Sequence, residues 1–170
     1  RVTGTLKYSG DKRAPLYYLN NTGGRESNAA AQLEKRFSQN WHTSAYYSFF
    51  GTKIGILRGS HIGNLTDLEA ALEREVPFFT EEKFSYKIDV PHQNVQHHLL
   101  KVTSKHFLKN DNVLNLIYGG QVNDRKEFDV RRSGREDIPA LSLLQITHFL
   151  EANYQQTFGE GISLKMGGQY

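Results

Sequence analysis

Cysteine is absent from this chain, which excludes both a disulfide scaffold and a thiolate metal site. Strong charge of one sign is absent too: the formal net charge is +3, too mild to argue nucleic-acid binding. No run of ~18 apolar residues occurs, so no transmembrane helix is encoded. Membrane-spanning strands stay open, because a barrel strand needs only ~9–11 residues with one apolar face. There is no Ser-His-Asp arrangement, no pair of carboxylates at a fixed site, no phosphate loop and no zinc-ligand spacing. Enzyme chemistry therefore has nothing to rest on, and no cofactor is called for. The chain starts at Arg1-Val2-Thr3, with neither an initiator Met nor a signal peptide, and reads as the middle of a longer protein.

The length, 170 residues, is enough for one domain with a core. Yet hydrophobic residues make up only 38%, below the ~45–50% (glycine included) usual in soluble domains. Aromatic residues are plentiful at 12%, which directs attention to where they fall along the chain.

Alternation of apolar and polar residues predicts seven strands. They cover 2–9, 27–37, 41 to about 57, 94–108, 113 to about 129, 141–158 and 162–170. Between Trp41 and Phe49 the alternation is plain: Trp41, Ala45, Tyr47 and Phe49 oppose His42, Ser44, Tyr46 and Ser48. Tight turns are expected at 38–40, 109–112 and 159–161, and long loops at 10–26, 58–92 and 130–140. Within the second loop, Thr66-Asp67-Leu68-Glu69 reads as a capping box opening a short helix over about 66–76, stopped by Pro77. The fold class expected is all-β: an antiparallel up-and-down meander with one short helix in a long loop.

In such a meander alternate connections fall at the same end. All short turns would then share one rim and all long loops the other, as in outer-membrane barrels. One strand face, built from Gln, Asn, Thr, Lys and Glu, is too polar for a soluble barrel core and suits a wet lumen. Phe37, Trp41, Phe107, Phe158 and Tyr170 are expected near the short-turn rim, with Tyr46, Tyr47, Phe49 and Phe50 further up, as two aromatic girdles. The competing reading is ordinary strand-forming aromatics in a soluble sheet.

The stretch from Thr52 to Leu68, TKIGILRGSHIGNLTDL, resembles a TonB-dependent outer-membrane receptor of the iron-complex (siderophore) branch found in Bacteroidota. Three further stretches carry the same resemblance: Val76-Pro77-Phe78-Phe79, Gln96 to Lys101 and Glu127 to Leu141. The resemblance implies a transmembrane barrel of about 22 strands filled by an N-terminal plug and energised through a TonB box. This chain would match a middle part of that barrel, without plug, TonB box or C-terminal strand. The partners implied are a ferric chelate or other small nutrient, the receptor's own plug, TonB, and outer-membrane lipid and lipopolysaccharide. The implied location is the bacterial outer membrane.

Five residues on the expected external loops are candidates for ligand binding. Arg131, Arg132 and Arg135 form a guanidinium cluster suited to a carboxylate-rich ferric chelate. The alternative is a loop pinned by pairs with Asp129, Glu136 and Asp137. Arg58 and His61 flank Gly59 where the third strand ends, and would either meet ligand or fix the loop. His97 and His98 are adjacent, so on a strand they point to opposite faces and cannot chelate together; no metal site is expected. The competing function is a soluble all-β binding module recognising glycan or protein through exposed aromatics and the Arg loop. A small outer-membrane enzyme barrel is a weaker third, since seven strands do not offer its even count.

Overall fold

The structure, a computed structural model, describes residues 1–60, 64–131, 134–158 and 161–170. Its elements in chain order are β1 (Val2–Ser9), β2 (Lys12–Arg13), β3 (Tyr18–Leu19), β4 (Gly24–Ser38), β5 (Trp41–Gly55), α1 (Leu65–Leu72), β6 (Thr80–Glu81), β7 (His92–Phe107), β8 (Val113–Phe128), β9 (Leu141–Phe158) and β10 (Ile162–Gln169). Seven of them form one antiparallel meander in the order β1-β4-β5-β7-β8-β9-β10. The three two-residue strands β2, β3 and β6 make a separate patch that joins the first long connection to the second.

The expected rim asymmetry is present. β4 turns into β5 through Gln39 and Asn40, where the Ser38 hydroxyl accepts a hydrogen bond from the Asn40 amide at 3.2 Å. β7 turns into β8 through Lys109–Asp111, with Asn110 and Asp111 left-handed at φ 60° and 57°. Asn and Asp reach that region more easily than other non-glycine residues, which is why this short turn can be made here. The three long connections, residues 10–23, 56–91 and 129–140, all leave from the opposite rim.

Register fixes the two faces. Across one row Ala31, Tyr47, Leu100, Gly120 and His148 stand opposite one another. Residues two apart share their face, so Ala29, Leu33, Ala45, Phe49, Val102, Tyr118, Val122, Ile146 and Leu150 join it. The other face carries Gln32, Glu34, Arg36, His42, Ser44, Lys101, Thr103, Lys105, Asn115, Gln121, Thr147 and Asn153, interrupted by Tyr46, Leu99 and Phe149. Neither face is covered. Among the described residues Ile88, at 8% exposure, is the one buried hydrophobic side chain, whereas Leu33, Leu144 and Ile146 stand more than half exposed at 69%, 66% and 57%. The burial lies instead beneath the long connections.

The polar groups on the apolar face pair with one another. The Tyr47 hydroxyl meets His98 Nδ1 at 2.7 Å, and one diagonal further on the Tyr118 hydroxyl meets His148 Nδ1 at 2.9 Å. At the turn rim Trp41 Nε1 donates to the Ser104 hydroxyl at 3.0 Å while its ring stacks on Phe37 at 4.4 Å.

Four expectations need correcting. The helix is shorter than 66–76 and its cap is Asn64, not Thr66: Asn64 Oδ1 accepts from the Asp67 amide at 2.8 Å. Asn and Thr both make good caps, and Asn64 captures an amide two positions earlier than Thr66 would. The helix ends at Leu72, with Glu73 as C-cap, before Pro77 is reached. Third, Tyr170 lies away from the turn rim, because its amide and carbonyl pair with Leu150 at mid-height of β9. Fourth, Tyr46 and Phe50 do not share a girdle with Tyr47 and Phe49: in keeping with the alternation, the first two stand on the polar face and the other two on the apolar one.

Candidate functional site

The long-loop rim is organised by one asparagine. Asn21 is left-handed at φ 60° and buried. Its Nδ2 donates to the carbonyls of Ile56 (2.9 Å) and Pro91 (2.8 Å), and its Oδ1 accepts from the Asp89 amide (2.8 Å). Three backbone groups of the second connection are thereby met by a side chain of the first, the Pro91 carbonyl accepting from the Ile56 amide as well. Each such bond is worth about 1 kcal/mol net, and a buried group left unmade costs about 1–3 kcal/mol. Asp11 and Thr22 extend the knot: Asp11 Oδ1 accepts from the Thr22 amide at 3.1 Å, and the Thr22 hydroxyl accepts from the Lys12 amide at 2.7 Å. Gly55 sits against Asn21, where a Cβ would approach its carbonyl oxygen to 2.5 Å.

His92, the first residue of β7, lies under this knot and well beyond the apolar band of the sheet. Its ring stacks on Phe128 at 4.6 Å and its Nδ1 faces the Asp89 carbonyl at 3.1 Å. Burial holds the imidazole below its ordinary range, the Lys53 charge adds to this, and the Asp89 carbonyl opposes it.

Beside the knot opens a cavity of about 330 Å³. Arg58, Gly59, Asp67, Phe78, Phe79 and Pro91 supply one side of it from the second connection, and Asp129 and Val130 supply the other from the third. The Arg58 guanidinium lies over the Phe79 ring, 4.7 Å from its centroid, and Arg74 lies over Phe78 at 4.2 Å. Phe79 is held at φ 59°, a left-handed conformation that is uncommon for a bulky residue. The first connection holds it there, since the Asn20 amide donates to the Phe79 carbonyl at 3.1 Å. Such local strain gathers at ligand clamps and switch regions. Gly59 passes so close to Phe78 that a Cβ would meet the Phe78 carbonyl oxygen at 2.9 Å.

Chemically, the cavity pairs an aromatic wall with one guanidinium and two carboxylates. Among the described residues Arg58 forms no ion pair, so its fork faces the cavity unclaimed. A planar or anionic group fits Arg58; hydroxyls or amines fit Asp67 and Asp129. Asp67 already accepts from Asn64 Nδ2 at 3.0 Å, and Asp129 from the Val130 amide at 2.7 Å, so one oxygen of each is already engaged. Among the described residues no group of three His, Asp or Glu side chains converges to hold a metal ion.

The structure brings together only part of what the sequence singled out. Arg58 lines the cavity. Arg131 does not; its Nη2 donates to the Pro139 carbonyl at 3.3 Å and closes the third connection on itself. Arg135 is exposed, and its carbonyl accepts from the Ile138 amide at 3.2 Å. Neither Arg131 nor Arg135 makes an ion pair among the described residues, so the pinning there is by a backbone carbonyl rather than by Asp129, Glu136 or Asp137. His61 and Arg132 lie outside the described residues. The site residues that sequence reasoning missed are Asp67, Phe79, Pro91 and Asp129, together with Asn21 behind them. Asn21 stood inside an Asn-Asn-Thr-Gly-Gly cluster that signals a turn, but nothing in that signal says what the side chain reaches. No protein-family model, no curated protein and no solved structure matches this chain.

Proposed function

We propose that this chain is a section of the barrel wall of a TonB-dependent outer-membrane receptor that imports a ferric chelate or a similar scarce nutrient. The observation that carries this reading is the seven-stranded meander whose apolar face has no cover and whose long connections all leave one rim. In a membrane the uncovered face meets lipid, and the alternate polar face meets a wet lumen. Lipid offers no hydrogen bonds, so polar groups facing it must find partners within the protein. The Tyr47–His98 and Tyr118–His148 pairs fit that requirement.

In this mechanism the long connections face outward. Solute settles on the Phe78–Phe79 wall, and Arg58 takes its acidic group. Energy from the inner membrane, delivered through TonB, then rearranges a plug inside the barrel and releases the solute inward. The exposed Leu144 and Ile146 weigh against the soluble binding module, which would need to bury them.

The test is fractionation of the full-length parent protein. It should enter the outer membrane, need detergent for extraction and carry a plug-like domain upstream. A parent that lacks such a domain, or that is monodisperse in plain buffer, sinks the reading. Deleting the parent gene and growing cells on defined iron sources would then identify the cargo.

A further inference from the structure

Far from the loop rim, the polar face carries a second constellation. Arg36 stands directly opposite His42, and His42 directly opposite Lys105, across three adjacent strands. Opposed positions place Cβ atoms about 4.5–5.5 Å apart, so two cations flank one imidazole within a single row. One carboxylate, Glu34, shares their cavity, against the cations Arg36 and Lys105. Arg36 and Lys105 form no ion pair among the described residues. Continuing the row, the next two strands offer Asn115 and Asn153. The acids nearest by register are already engaged: Glu34 accepts from Gln32 Nε2 at 2.7 Å, and Glu151 accepts from Asn153 Nδ2.

Three further facts point to a missing ligand rather than to a merely solvated row. A cavity of about 420 Å³ opens here, lined by Glu34, Arg36, His42, Ser44, Thr103 and Lys105 among others. The Nε2 atom of His42 is buried and has no hydrogen-bond partner. Its ring is held edge-on by Phe107 at 5.1 Å, and the same Phe107 ring lies 4.9 Å from Lys105 Nζ, which steadies both groups.

We infer that Arg36, His42 and Lys105 form a binding site for a phosphate-type oxyanion. A tetrahedral oxyanion presents a separate oxygen to each of three donors that converge from three strands. One step up the ladder, Ser44 and Thr103 stand opposite each other and offer hydroxyl donors for the remaining oxygens of a tetrahedral anion, with Glu34 opposite Ser44 in the same row. The site stands on the polar face however the sheet is partnered, so it does not rest on the transport reading.

The test uses the full-length protein in detergent, dialysed free of oxyanions and titrated with inorganic phosphate by calorimetry at low ionic strength. One phosphate should bind, sulfate should compete, and the His42 imidazole resonances should shift. The double variant R36Q/K105Q should bind at least about tenfold more weakly, since two charge-assisted bonds are lost. Without phosphate that variant should melt no lower than the parent, because like-charge repulsion has been relieved. Absence of binding to the parent protein, or equal binding by the variant, overturns the inference. So does a variant that melts lower without phosphate, because the row is then covered by an acidic segment of the protein itself.

Discussion

The sheet and its loop rim are held together in opposite ways. Along the strands every side chain belongs to a regular ladder, yet almost none is buried. At the loop rim there is little regular structure, yet Asp11, Asn21, Ile88 and His92 are all buried. The ladder fixes which residue faces which way but leaves both faces dependent on surroundings. By contrast, the rim fixes its own shape through side chains that answer backbone groups. The aromatic-walled cavity around Arg58 lies where the second kind of order prevails, and its walls are set by the rim itself.

Substitutions separate the two kinds of order, the largest effect coming from the sheet. In lipid, Ile146→Arg should cost about 3 kcal/mol, while Thr147→Arg one residue away should cost close to nothing. Urea unfolding of the full-length protein in bilayers measures both, and equal costs would remove the distinction between the faces. Next, Asn21→Ala should loosen the rim by about 2 kcal/mol, through lost buried bonds, and leave the ladder intact. Hydrogen exchange would show the Gly55 and Asp89 amides opening while strand amides stay protected. Asn21→Gly should do less harm than Asn21→Ala, since glycine accepts the left-handed backbone.

Smaller effects are expected at the cavity. Arg58→Ala should weaken solute binding about tenfold, or about 1.4 kcal/mol, without changing the strand circular dichroism. Arg131→Ala should do less, since Arg131 holds Pro139 rather than the cavity; a larger loss would return the binding role to the third connection. The smallest effect is with pH. The folded imidazole of His92 binds a proton less readily than the ordinary value of 6.5, so the unfolded rim takes up protons first. Rim stability should therefore be complete above pH 6.5 and decline as the pH falls below it. In His92→Phe, exchange at the rim should lose that dependence.

Much of the sheet was legible beforehand. Seven strands, the alternation of short and long connections, and the opposite facing of His97 and His98 all follow from period-two patterning and from Asn, Asp and Gly in the turns. Boundaries slipped by a few residues where polar runs such as Gly24-Arg25-Glu26 continue a strand for the sake of its neighbours. The site was less legible. Arg58, singled out because it is charged and ends a strand, lines the cavity, whereas Arg131, singled out for its charge, turns to the Pro139 carbonyl. Phe79 and Asp129 meet across two connections far apart in sequence, and no local pattern encodes that meeting. Likewise, the row from Arg36 to Lys105 is visible only once register is known.

One property of the loop rim reaches beyond its own residues. Asn21, in the first connection, holds the carbonyls of Ile56 and Pro91 and the amide of Asp89, so the exit of β5 and the entry of β7 are clamped by a segment that precedes both. Sliding either strand along the other would break a buried bond at this clamp as well as the ladder itself. The alignment of the two strands is therefore guarded at its loop end by a residue that belongs to neither.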